Sequence, residues 1–318
     1  MGLFARAEKI FKIVLENNRN KKNLNSYMSK HYLGLFTKKI HLKFHYHFIE
    51  NNLLFLGKTK SSLQTYLELA SRFIYVCQYK KAIEILTLLL KHNIKNAMVY
   101  YYLGYCNIKL NQIEKSRYYY KLAVKETQDY VFPHRTEEIE ILNTAIKNNP
   151  MDSHARYFLG NLLYYKGRVD EAIQEWEKSL ELGNNYSILC RNLGFAYWKS
   201  KKDFKSAVYY YKKSIEIDSF NIKAYFELNE IYRLTNNNKD REKLFKDIPE
   251  KLKKNEQIIK KWSEFYIDTK QFNKAINLLN TTKFYFPKEG EQTVRNLLEK
   301  SYTGKFTSEN LSGFTFLK

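Results

Sequence analysis

The residues best able to do chemistry in this sequence are few, and their spacing argues against catalysis. The run His41-Leu42-Lys43-Phe44-His45-Tyr46-His47 sets two imidazoles four residues apart, so His41 and His45 on a helix could share a metal ion. No carboxylate or thiol follows before Glu50, and the surrounding lysines repel a cation, so no metal site is expected. Cys77, Cys106 and Cys190 are too widely spaced for a disulfide framework or a four-thiolate zinc site. Free thiols suit a reducing compartment, and the cytoplasm is the expected location. The neighbouring carboxylates Glu137 and Glu138 stand where a helix would begin and meet the positive end of its dipole, so they read as structural charges. No nucleophile elbow, phosphate loop or zinc-protease motif occurs. The chain therefore reads as non-enzymatic, with no cofactor.

The informative residues are aromatic, and they recur. Leu69-Ala70, Leu103-Gly104, Leu159-Gly160, Leu193-Gly194 and Leu228-Asn229 mark equivalent points of a repeat, with intervals of 34 residues at the first and third steps and 35 at the last. Around most of these pairs a large residue stands three positions before the Leu, and a small residue opens a second helical run. The clearest set is Leu159, Gly160, Leu163, Gly167, Ala172, Trp176 and Ser179. In the next set Leu193, Gly194 and Tyr197 lead to Ala207, Tyr211 and Ser214, displaced by one inserted residue near Lys201-Lys202-Asp203. A fifth set has an irregular, charged second helix between Asp240 and Lys254. A sixth offers Ile259, Trp262, Ser263, Tyr266, Ala275 and Leu279.

This pattern resembles the tetratricopeptide repeat, two antiparallel helices whose apolar stripes are buried only when neighbouring units stack. The expected fold is all-α, a right-handed superhelical solenoid of antiparallel helix pairs. The expected divisions are a basic helical segment over 1–60, repeats one and two over 61–128, and a connecting segment with an extra helix over 129–150. Repeats three to five follow over 151–254, a sixth with a terminal helix over 255–300, and a flexible tail over 301–318. Ala7, Phe11 and Val14 have second-helix spacing with no first helix before them, so the chain is expected to begin within a repeat.

A narrower resemblance runs through Asp129-Tyr130-Val131-Phe132-Pro133-His134-Arg135, Tyr157-Phe158-Leu159-Gly160-Asn161 and Arg191-Asn192-Leu193-Gly194. These residues are similar to the C-terminal helical half of large bacterial proteins that carry an N-terminal β-sandwich domain linked to carbohydrate metabolism. That resemblance implies a setting of sugar metabolism for the relatives, and for this chain an accessory role in glycan binding or in support of a carbohydrate-active enzyme. The family's glycine-rich loop is reduced here to Lys283-Phe284-Tyr285-Phe286-Pro287-Lys288-Glu289-Gly290-Glu291, with one glycine.

In tetratricopeptide geometry the second, fifth, ninth and twelfth positions of each first helix look into a concave groove. They predict a partner-binding face of Tyr101, Tyr105, His154, Tyr157, Asn161, Tyr164, Arg191, Phe195, Trp198, Lys223, Phe226 and Arg233. Rigid aromatics with a few polar anchors suit a protein or peptide ligand, and sugars stack on the same kind of surface. A carboxylate clamp gains from Asn161, Asn192 and Lys223 but is opposed by Tyr157 and Glu227, which stand where cations would be required.

Charge points less clearly. The net charge is +21, but Lys dominates Arg beside abundant Asn, Ile and Tyr, a mixture expected from A/T-rich coding. The excess falls in residues 1–60 and 201–260, away from the neutral middle where most groove aromatics lie. Base-stacking proteins interleave the two, so nucleic acid is disfavoured. No run approaches the roughly 18 apolar residues that span a bilayer, and no membrane partner is expected.

Overall fold

The helical punctuation follows local chemistry. Side chains that accept backbone N–H bonds open successive helices: Asn96, Asp152, Asp203, Asn221, Asn237 and Asn255. Where the first helix of a pair turns into the second, one residue adopts left-handed backbone geometry. These residues are Cys77, Asn111, Gly167, Lys202, Asn236 and Lys270, with φ between 53° and 79°. Successive members are 34 residues apart except for two steps. The step of 56 between Asn111 and Gly167 holds an additional helix, and the step of 35 between Gly167 and Lys202 holds the inserted residue expected there.

The computed structural model of the protein describes residues 60–91, 93–126, 131–281 and 295–304. The segment 1–59, with its histidine cluster and its half-repeat, lies outside the described residues, as do the loop at 283–291 and the tail from 305. All regular structure among the described residues is helical. We number the helices α1 (Lys60–Tyr75), α2 (Tyr79–Lys91), α3 (Ala97–Lys109), α4 (Ile113–Ala123), α5 (Glu137–Asn148) and α6 (Ser153–Tyr165). There follow α7 (Val169–Glu181), α8 (Ser187–Ala196), α9 (Phe204–Ile217), α10 (Ile222–Leu234) and α11 (Asn238–Lys246). The series ends with α12 (Glu250–Lys253), α13 (Glu256–Asp268), α14 (Phe272–Thr281) and α15 (295–304). The chain divides between Lys166 and Gly167 into two compact units.

In the first unit α1 pairs with α2 and α3 with α4, as the repeat requires. Gly104 lets the paired backbones approach, because a Cβ there would overlap the Tyr120 ring. Gly104→Ala is expected to cost about 1–3 kcal/mol, since Tyr120 is itself buried and has little room to yield. Thermal melting followed by circular dichroism checks this, and an unchanged midpoint would show that the close approach is unimportant. The additional helix α5 packs on α6 but also reaches α3, α1 and α4. Ile141, Leu142 and Ala145 of α5 are completely buried, so it is a core element.

In the second unit α8 pairs with α9, α10 with α11, and α13 with α14. The inserted residue is absorbed at the end of α8, where Tyr197–Lys201 form a π-turn before Lys202 reverses the chain. Gly194 faces Tyr211 as Gly104 faces Tyr120, with a Cβ placed 3.0 Å from the ring. The irregular fifth repeat is held by Arg241. This side chain is only 2% exposed and donates from Nε to Asn229 Oδ1 (2.7 Å) and from a terminal nitrogen to Asp268 (2.8 Å), with its guanidinium over the Phe265 ring. The expectation of a loose tail from residue 301 is corrected for its first residues. Residues 301–304 continue α15, where Ser301 is buried and Gly304 lies against Phe272.

Candidate protein-binding face

The two units treat their inward positions differently. In the first unit α3 is buried on every side, from Ala97 to Asn107. Tyr101 packs edge-on against Phe158 and donates to Asp152 Oδ1 at 2.8 Å, and the same oxygen caps α6 through the Ala155 N–H at 2.9 Å. Tyr102 donates to Glu138 Oε1 at 2.6 Å, and Glu138 Oε2 accepts the N–H groups of His134 (2.8 Å) and Arg135 (2.7 Å). Lys109 donates to Glu140 at 2.9 Å, while Glu68 on α1 lies 3.7 Å from Arg135 and Gln64 lies 3.4 Å from the His134 ring. The chain's own segment 134–140 thus lies against α1 and α3, and its Glu140 meets Tyr105, a position expected to face a groove.

Three predicted contacts in this unit are therefore corrected. Tyr101, Tyr105 and Tyr157 are buried at 0%, 3% and 4% exposure, and they serve the core. Burial and the Glu140 carboxylate also push the Tyr105 hydroxyl well above its ordinary range, so it stays neutral. His154, Asn161 and Tyr164 remain half-buried on α6. Burial depresses the His154 pKa below 6.5, with the Asp152 charge opposing. The unfolded chain therefore takes up a proton at this site before the folded one does. The His154 contribution to stability should fall as pH drops below 6.5, and His154→Gln should flatten that part of a stability–pH curve. A curve of unchanged slope between pH 6.5 and 5.5 would refute this.

In the second unit the inward positions are more open. Arg191 on α8 is ion-paired to Glu227 on α10, with side-chain exposures of 23% and 18%. Phe195 meets Trp198 edge-on at 6.4 Å and is half-buried. Phe226 is half-buried beside the cluster of Tyr225, Phe245 and Phe265. Lys223 is exposed, and Arg233 is exposed with its fork on Glu230 at 2.9 and 2.6 Å. Trp198 is the fourth correction. It is 8% exposed, packs with Ala207, Tyr211, Leu228 and Tyr232, and carries the Lys199 ammonium over its ring at 3.4 Å. Arg191, Phe195, Lys223 and Phe226 thus gather on neighbouring helices α8 and α10, with Arg233 at the far end of α10.

Glu227, expected to oppose a carboxylate clamp, is a constituent of this face. It sits directly after the fifth position of its helix and neutralises Arg191, which removes the positive charge a clamp would need. Among the described residues no group of three or more His, Cys, Asp or Glu side chains could hold a metal ion, and no helix is long and apolar enough to cross a membrane.

These pairs, turns and buried small residues define an α-helical repeat protein. Residues 160–201 match the family model described as TPR repeat, so this part of the chain carries the tetratricopeptide repeat. No curated protein matches the chain. Among solved structures, it is similar to the C-terminal part of a TPR repeat-containing protein from Cytophaga hutchinsonii, at 14% identity, covering 75% of this chain and 98% of that one, TM-score 0.40. It is also similar to PilF of Pseudomonas aeruginosa (13% identity, 79% and 100% covered, TM-score 0.39). A third is YrrB, described as a TPR protein with an unusual peptide-binding site (22% identity, 67% and 95% covered, TM-score 0.29).

Proposed function

We propose that this chain is a non-enzymatic scaffold that binds a protein or peptide across the inward face of α8 and α10. The observation that carries this is the contrast between the units. The equivalent positions of α3 are filled by the chain itself, whereas Arg191, Phe195, Lys223 and Phe226 stay partly or fully exposed. Half-buried aromatic rings give contact area at low entropic cost, and the exposed Lys223 beside them offers a charge for a polypeptide to meet. The test uses the full chain with Phe195→Ala, Lys223→Glu and Phe226→Ala combined. A polypeptide retained by the wild-type protein should be lost by this variant while its melting temperature stays within a few degrees. Equal retention by both would overturn the assignment.

A further inference from the structure

We propose that the edge of the second unit formed by its first-to-second-helix turns is a docking surface for an acidic, extended segment of a partner protein. Two contacts place these turns on one edge. Trp198, at the end of α8, packs with Ile231 and Tyr232 at the end of α10. Arg241, near the start of α11, reaches Asp268 at the end of α13. Stacked helices lie about 10 Å apart, so the three turns form a continuous ridge.

Positive charge collects along that ridge. The first turn holds Lys199, Lys201, Lys202 and Lys205 against Asp203, the second adds Lys239 beside Asp240, which accepts from the Asn237 side chain at 2.9 Å, and the third adds Lys270 and Lys274; all seven lysines are exposed. The acids nearby are already engaged. Asp203 caps α9 at the Ser206 N–H, Asp170 pairs with Lys201, Glu230 holds Arg233, and Asp268 holds Arg241. Lys202, Lys239 and Lys270 have no ion-pair partner among the described residues. Lys202 and Lys270 stand at the left-handed apex of their turns, and both are exposed.

The opposite edge carries no such excess of positive charge. Residues 181–186 and 216–221 contain Glu181, Glu216 and Asp218 and no lysine, and residues 247–255 carry both signs. A coding preference for lysine would load both edges alike, so the sidedness belongs to the folded surface. The ridge supplies lysine point charges; Trp198 is buried beneath Lys199, and Phe204 is the exposed ring beside them. Seven lysines beside a single exposed ring at the turns lack the successive stacking faces a single-stranded nucleic acid needs, and favour the carboxylates of an acidic polypeptide.

The experiment titrates the full chain with a labelled polyglutamate peptide, and separately with a single-stranded RNA of equal charge, at low and physiological salt. Lys202→Glu, Lys239→Glu and Lys270→Glu combined should weaken peptide binding on the order of tenfold or more and flatten its salt dependence. A control changing Lys212, Lys251 and Lys254 to Glu alters net charge equally away from the ridge and should retain most of the affinity. Loss of affinity equal in both variants, no peptide binding at low salt, or tighter RNA binding abolished by the ridge variant would each overturn the proposal. The inward-face variant of α8 and α10 should bind the peptide normally, which separates this surface from the one proposed above.

Discussion

Asp268→Ala is expected to cost the second unit roughly 3–5 kcal/mol, more than removal of the larger side chain it contacts. Arg241 is almost fully buried, whereas the Asp268 side chain is 46% exposed. Deleting the carboxylate strands a guanidinium inside the protein with Asn229 as its remaining polar partner. Arg241→Met removes the charge as well and fills most of the volume. It leaves Asp268 half in water and Asn229 short of one donor, a loss of about 1–3 kcal/mol. The double variant should then be more stable than Asp268→Ala alone, a coupling that a double-mutant cycle reads directly. Stacked repeats do not unfold as one unit, so the measurement should be local. Trp262 stacks on Phe245 with ring centroids 5.8 Å apart, and its fluorescence reports this part of the fold. If Asp268→Ala left that local transition in place, the ion pair would be a surface ornament.

That lock shows where sequence reading stops. The repeat was legible because its constraints are local: a Leu followed by a small residue where backbones meet, and a second small residue at a near-constant offset opening the next helix. The inserted residue in the fourth repeat was visible for the same reason, and the π-turn at Tyr197–Lys201 is its physical form. Arg241 was not legible. It lies in a charged, irregular helix, and its burial depends on Asn229 and Asp268 from two other helices.

The groove positions failed differently. Periodicity identifies which residues share a helix face, but not what covers that face. For α3 a warning was present in the sequence. No charged residue stands between Ala97 and Ile108, and a helix apolar all round is buried all round. For Trp198 the π-turn shifts the register, so a position counted as inward enters the core with Tyr211 and Tyr232. Lys223 and Phe226 stand on a helix that carries charge, and they are exposed and half-buried.

The covering of α1 and α3 by the chain itself rests on one carboxylate. Glu138 is 2% exposed, and its two oxygens accept three hydrogen bonds, from the Tyr102 hydroxyl and from the N–H groups of His134 and Arg135. Glu138→Ala leaves two backbone donors at the entrance to α5 without a partner and the Tyr102 hydroxyl with Ser71 alone. At 1–3 kcal/mol for each unsatisfied group, with some regained by water, the expected cost is on the order of 3–5 kcal/mol. Glu138→Gln should cost far less. Its carbonyl oxygen can accept from the backbone while its amide donates to the Tyr102 oxygen, because a hydroxyl can reverse its role. Tyr102→Phe should fall between the two, since it removes one donor and leaves the carboxylate its backbone bonds. Hydrogen exchange at the N–H groups of residues 134–138 gives the ordering. Protection should be lost first in Glu138→Ala, where the strap over α1 and α3 opens before the helix pairs separate. Equal protection in Glu138→Ala and Glu138→Gln would mean that the apolar contacts of Ile141, Leu142 and Ala145 hold α5 without help from the carboxylate.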